Sequence, residues 1–143
     1  MSRAEVGSIC FVGGGAMGCY NAILAALAGY PSVIHDASES ARGLIAARLQ
    51  ETARQLSAAG LCAPAAVQSA IGLIRVEPDL ARAVQGAWLV SESVFEDLEL
   101  KRRVFAQLEA ECDDTVLLTT NSSALLGSDI ESVLKVGERF AAL

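Results

Sequence analysis

Positive charge is scarce in this sequence: 11 Lys and Arg stand against 17 Asp and Glu, a formal net charge of −6. Unless so few basic residues cluster, such a chain repels nucleic acid and anionic membrane surfaces, and neither is expected as a partner. Paired cysteines are lacking as well. Cys10, Cys19, Cys62 and Cys112 form no C-x-x-C and no metal-ligand spacing, so free thiols in a reducing compartment are expected, with no metal. No apolar run is long enough to span a bilayer, since the N-terminal one is broken by Asn21 and Gly29. Arg3 and Glu5 lead straight into a strand pattern without the form of a secretory leader. A cytoplasmic location is expected. Repeats, linkers and low-complexity segments are also missing. Histidine is reduced to His35. What is present is 143 residues, 52% hydrophobic and 20% charged, which suit one folded domain with a real core. The sequence stops on the apolar "ERFAAL" with no polar tail. Domains seldom end inside a buried element, so a fragment of a longer protein is expected.

Apolar runs alternate with amphipathic stretches along the chain. Strands are expected at residues 8–13, 32–36, 72–76, 87–93, 115–121 and 139–143. Between them the pattern predicts helices from Gly15 to Ala28, from Ser38 to Ala59, from Pro64, from Pro78 to Val84, from Asp97 to Glu111 and over 125–134. Gly29 and Gly60 are the expected stops of the first two. This alternation implies an α/β fold of the Rossmann type, a doubly wound and mainly parallel sheet with helices on both faces.

Three consecutive glycines sit where the first strand meets the first helix. Gly13, Gly15 and Gly18 spell G-x-G-x-x-G in the strand–turn–helix context of a dinucleotide fingerprint. The first permits the tight turn, the second lets backbone approach a pyrophosphate, and the third brings helix against sheet. The helix N-terminus then offers unpaired N–H groups to phosphates. A glycine-rich turn that holds no ligand is spelled the same way. Asp36 favours the dinucleotide, because it ends the second strand about 20 residues on, where an acid meets the adenosine ribose. Its carboxylate accepts from a 2′-OH and repels a 2′-phosphate. No arginine follows it at once, Arg42 coming nearly two helical turns later, so NAD is expected over NADP. Alternation turns His35 to the opposite strand face from Asp36, as a packed or edge histidine rather than a catalytic one.

Three stretches, "FVGGGAMGCYNA", "SESVFEDLELKRRVFAQLEA" and "TTNSSALLGSDI", followed by "ERFAAL", resemble the N-terminal NAD-binding domain of the 3-hydroxyacyl-CoA dehydrogenase family. The resemblance runs from about residue 7 to the end of the sequence. It implies that Gly13, Gly14, Gly15, Ala16, Met17 and Gly18, with Asp36, contact NAD. It also implies that Glu96 and Lys101 reach the nicotinamide-ribose side, with Asn121 near the nicotinamide. Ser123, with Ser122 beside it, would bind the 3-oxygen of a small-molecule substrate. Read from the residues alone, Glu96 and Lys101 equally suit a helix start, with Lys101 paired to Asp97, and Asn121–Ser123 equally suit a strand-end turn. The family's catalytic histidine and its orienting glutamate would follow Leu143, as would an all-helical domain that carries substrate contacts and a homodimer interface. The sequence departs from the family at Tyr20, where a small residue is usual, and in the Ala-rich 50–72 region, which holds Arg54 alone where CoA binders are Lys-rich. Arg42, Arg48 and Arg54 are spaced by six and form no basic face. The stretch "VQGAWLVSESVFEDLELKRRVFAQLEA" is similar also to the free-acid branch of the superfamily, with L-gulonate 3-dehydrogenase, lambda-crystallin and carnitine dehydrogenase. The expected activity is oxidation of an L-3-hydroxyacyl-CoA by NAD. The alternatives are a free 3-hydroxy acid as substrate, or a stand-alone nucleotide-binding module without catalysis.

Overall fold

The computed structural model describes residues 7–135 and 137–143. Arg3 and Glu5, the charges that argue against a leader, lie outside the described residues. Six strands form one sheet: β1 (Ser8–Val12), β2 (Ser32–His35), β3 (Ile74–Glu77), β4 (Ala87–Glu92), β5 (Leu117–Thr120) and β6 (Phe140–Ala142). Their order across the sheet is β3-β2-β1-β4-β5-β6, and every neighbouring pair is parallel. The order reverses between β1 and β4, which places a switch point beside the glycine turn, where open α/β sheets bind ligands.

Both faces of the sheet are covered, and β1 shows why its run is continuously apolar. Ile9 and Phe11 join a cluster with Ile23 of α1 (Ala16–Leu27), Ile45 of α2 (Glu39–Ala58) and Val67 of α3 (Pro64–Ile71). Cys10 and Val12 face the other way, into a cluster with Val84 of α4 (Leu80–Val84), Phe105 of α5 (Leu98–Glu111) and Ile130 of α6 (Gly127–Glu131). Successive side chains of a strand alternate in direction, so a strand sandwiched between two helix layers needs apolar residues at every position.

The helix boundaries follow local chemistry. Ser38 caps α2 by accepting from the Ala41 N–H at 3.2 Å, and Asp97 caps α5 through the Leu100 N–H at 2.7 Å. Gly29 and Gly60 follow α1 and α2 with φ of +89° and +70°, the left-handed conformation that ends a helix. Several edges differ from the sequence pattern. Gly72 is the C-cap of α3, so β3 starts at Ile74. The expected helix over 125–134 shrinks to α6, and Leu125, Val133 and Leu134, outside it, still pack against the core cluster that Ile130 joins. Arg139 closes a short 3-10 turn ahead of β6. Among the described residues no helix is long and apolar enough to cross a membrane, and no group of three or more His, Cys, Asp or Glu could hold a metal ion.

Candidate dinucleotide site

The three glycines of the fingerprint do different physical work. Gly13 has φ +114°, and a Cβ there would stand 2.8 Å from the Ser93 carbonyl oxygen. At Gly18 a Cβ would stand 1.9 Å from the Gly13 carbonyl oxygen, so α1 lies on the turn with no room for a methyl group. Gly15 is the N-cap of α1, and nothing lies within 4 Å of where its Cβ would be. That open space faces a cleft of about 590 Å³ lined by Gly13, Gly15, Asp36 and Ser93, among others. No acidic residue occupies the first turn of α1, so its leading N–H groups stay available to an anion.

Asp36 is tied to the turn itself. Its Oδ2 accepts from the Gly14 N–H at 2.8 Å and its Oδ1 from the Ser38 N–H at 2.9 Å. The carboxylate therefore fixes the turn after β1 to the loop after β2, at the edge of the cleft. His35 is 7% exposed and its Nδ1 lies 3.0 Å from the Glu77 carbonyl oxygen, a packed histidine of the sheet. Arg42, although six positions further along the sequence, reaches back so that Nη1 donates to the carbonyls of Asp36 at 2.7 Å and Ala37 at 2.9 Å. Arg48 Nη1 reaches the Gly14 carbonyl at 2.8 Å. Spacing along a helix shows where a side chain starts; a flexible arginine ends several ångströms away. Met17 and Tyr20 of α1 are exposed.

A second cluster forms where β4 and β5 end. Lys101 is 1% exposed, and its ammonium donates to both oxygens of the fully buried Glu92, at 2.8 and 3.0 Å, and to the Val94 carbonyl at 3.3 Å. Glu92 accepts further from the Thr120 hydroxyl at 2.7 Å and from the Val94 N–H. Lys101 thus turns inward instead of pairing with Asp97 on the helix surface. Glu96 lies 3.5 Å from the same ammonium and accepts from the Ser122 hydroxyl and the Ala124 N–H. Those bonds, the Ser122 hydroxyl foremost, then Ala124, hold its pKa below the ordinary carboxylate range, with a smaller contribution from Lys101. The clasp shapes the turn after β5. Asn121 Nδ2 donates to Ser93 Oγ at 2.7 Å, and the exposed Ser123 hydroxyl bonds to no described residue.

The fold therefore brings Gly13, Gly15 and Asp36 to one cleft. Glu96, Lys101, Asn121 and Ser123 gather in the neighbouring cluster, joined to the cleft through Ser93. Glu92 escapes the sequence pattern. Its signal is a lone acid between two serines at the end of an apolar strand, with a lysine nine positions later on the following helix.

Strand order, glycine turn and acid together define a Rossmann-type dinucleotide-binding domain. The open space at Gly15 and the carboxylate at the end of β2 fit such a cofactor. More narrowly, this chain belongs to the 3-hydroxyacyl-CoA dehydrogenase family, whose NAD-binding domain matches residues 8–143, and NAD is the cofactor of that domain. It is 32% identical over 131 residues to the human lambda-crystallin homolog, covering 91% of this chain and 41% of that protein. It is 34% identical over 143 residues to the 3-hydroxyadipyl-CoA dehydrogenase of Escherichia coli K12, covering 97% and 29%. The solved structure of a diketoreductase superposes with a TM-score of 0.90 at 32% identity, covering 96% of this chain and 49% of that one. The chain spans less than half the length of these relatives.

Proposed function

We propose that this domain serves an oxidoreductase that converts an L-3-hydroxyacyl-CoA to the 3-ketoacyl-CoA. The observation that carries this reading is the adjacency of the glycine–Asp36 cleft to the Asn121–Ser123 turn, linked through Ser93. Gly14, Gly15, Ala16, Met17 and Gly18 would hold the pyrophosphate on the α1 N-terminus, and Asp36 would accept from the ribose hydroxyls. When bound, NAD supplies a hydride acceptor at its nicotinamide. Asn121 and the Glu96–Lys101 pair would border the nicotinamide end, and the unengaged Ser123 hydroxyl would donate to the substrate 3-oxygen. The base that takes the hydroxyl proton would come from outside residues 1–143, since His35 is buried and bonded within the sheet. A histidine with an orienting glutamate, on a helical domain that also dimerises, is the arrangement the family implies. Free thiols suit a reducing compartment such as the cytoplasm.

A specific observation favours a second reading, a free 3-hydroxy acid as substrate. Of the three arginines on α2, Arg42 and Arg48 are turned to the nucleotide side, where each donates through Nη1 to backbone carbonyls, and Arg54 pairs with Glu51. Little cationic surface remains there for the phosphates of CoA. Assaying the intact protein with 3-hydroxybutyryl-CoA and with free L-3-hydroxybutyrate separates the two. A kcat/KM higher for the thioester supports the first reading, and the reverse order replaces it with the second.

A further inference from the structure

The polar contacts at the ends of β4 and β5 form a closed circuit. Lys101 Nζ donates to Glu92, whose Oε2 accepts from the Thr120 hydroxyl at 2.7 Å. The Thr120 oxygen accepts in turn from the Ser122 N–H at 3.2 Å. The Ser122 hydroxyl donates to Glu96, and the other Glu96 oxygen stands 3.5 Å from Lys101 Nζ, which completes the circuit. Glu92, Thr120, Lys101 and Ser122 are buried; Glu96 is the member that meets solvent.

An ammonium has three protons and no acceptor. Those of Lys101 are matched by both Glu92 oxygens and by the Val94 carbonyl. None is left over for a nucleotide, so Lys101 works from inside the protein. Buried polar groups are costly unless satisfied, and apolar side chains would pack this junction as well. What the circuit supplies beyond packing is direction. Ser122 is held through its N–H by Thr120 and through its hydroxyl by Glu96, and that hydroxyl also accepts from the Leu125 N–H at 3.2 Å. The Ala124 N–H donates to the same Glu96 oxygen at 3.1 Å. Ser123 lies between these two fixed residues with its own side chain exposed.

We propose that Glu92, Thr120 and Lys101 are positioning residues: they touch neither cofactor nor substrate, and their circuit with Ser122 and Glu96 aims the Ser123 hydroxyl at the substrate 3-oxygen. The inference rests on the proposed role of Ser123 and names what holds it. A donor on a loose turn points many ways, and a misplacement of about 1 Å can cost on the order of 10²-fold in rate. The circuit fixes that direction before substrate arrives.

Thr120 is the member that tests this, because valine keeps its shape without the hydroxyl and serine keeps the hydroxyl without the methyl group. Two measurements are made on each variant. The first is amide hydrogen exchange by NMR on the 143-residue chain without nucleotide. The second is steady-state kinetics of the intact protein with 3-hydroxybutyryl-CoA and with free L-3-hydroxybutyrate. Thr120→Val should speed exchange at Ser122, and with it at Ala124 and Leu125, by at least about tenfold, the scale of one lost hydrogen bond. Amides of β1 and β2 should keep their protection. On the better substrate kcat should fall about tenfold or more, with the KM for NAD unchanged, because the glycine turn and Asp36 lie outside the circuit. Thr120→Ser should recover most of both losses. Should Thr120→Val fail to fold, Lys101→Met with Glu92→Leu opens the circuit behind apolar packing, and the same losses in exchange protection and kcat are expected. Wild-type exchange and kcat in the valine variant overturn the proposal. So does equal damage in Thr120→Ser, since volume and not the hydroxyl would then matter, and so does faster exchange with an unchanged kcat. A wild type that oxidises neither substrate overturns the proposed reaction instead, and the exchange rates then decide the circuit on their own.

Discussion

A methyl group added at Gly15 or at Gly18 would meet opposite surroundings. At Gly15 there is only the cleft, and the backbone is extended with φ −73°, so a side chain fits without strain. Gly15→Val should keep the circular dichroism spectrum and melting temperature of the wild type but abolish NADH binding, because the side chain fills the path of the pyrophosphate. At Gly18 the added carbon would collide with the Gly13 carbonyl. Gly18→Ala should lower the melting temperature, since overpacking of a close helix–strand contact costs about 1–3 kcal/mol. Equal melting temperatures for the two variants would refute this division of labour. The thiols give a second residue-level expectation. Burial pushes Cys10 up to about 12 and Cys112 up to about 11, whereas Cys62 is half-exposed. At pH 8 a thiol reagent should modify Cys62 first, and Cys10 and Cys112 only on unfolding. A folded-state pKa raised above the unfolded 9.0 stabilises the fold below pH 9. Because the unfolded chain ionises first, stability should decline as pH rises from 9 toward the folded values.

One helix, α5, carries a buried ion pair in addition to its apolar packing. It is tied to β4 and β5 by the buried Lys101–Glu92 pair, with the Thr120 hydroxyl as third member. Lys101→Met leaves a buried carboxylate without its cation, and breaking such a pair costs about 3–5 kcal/mol. Replacing both partners, as Lys101→Met with Glu92→Leu, should recover most of that loss, because desolvation of two charges is avoided. Urea melts of the two variants check it; a double variant no more stable than the single one would contradict the ion-pair account. The turn after β5 has its own pH signature. The Glu96 pKa is lowered from 4.5, so its clasp on Ser122 and Ala124 stabilises the turn above that pH and is lost as pH falls through the folded value. Glu96→Gln should flatten the acid limb of the melting curve, modestly, since the carboxylate is exposed and screened.

At the scale of the whole molecule, nucleotide binding and turnover should separate. The 143-residue chain should bind NADH yet show no oxidation of 3-hydroxybutyryl-CoA or of free 3-hydroxybutyrate, followed at the NADH absorbance. General acid–base catalysis supplies about 10²–10⁴-fold, and the sole histidine of the sequence is locked to the Glu77 carbonyl inside the sheet. Ser123 can orient a 3-oxygen, but a neutral hydroxyl is a poor proton acceptor near pH 7. Turnover by this chain would place the base within the domain.

Strand–helix alternation, the glycine turn, the caps at Ser38 and Asp97 and the acid at the end of β2 were all legible in the sequence. Each depends on local physics: the period of apolar residues, the φ that glycine tolerates, a short side chain within reach of its own helix. The direction taken by long charged side chains was not legible. Lys101 has the spacing of a surface partner for Asp97, yet it turns inward because β4 carries Glu92 into a region without water. Arg42 and Arg48 have the spacing of unrelated residues on α2, yet both return to the nucleotide side. A buried charge must find an opposite charge or a dipole within hydrogen-bonding distance. Which partner that is depends on strands and loops brought together across the sheet, and so only the tertiary structure decides it.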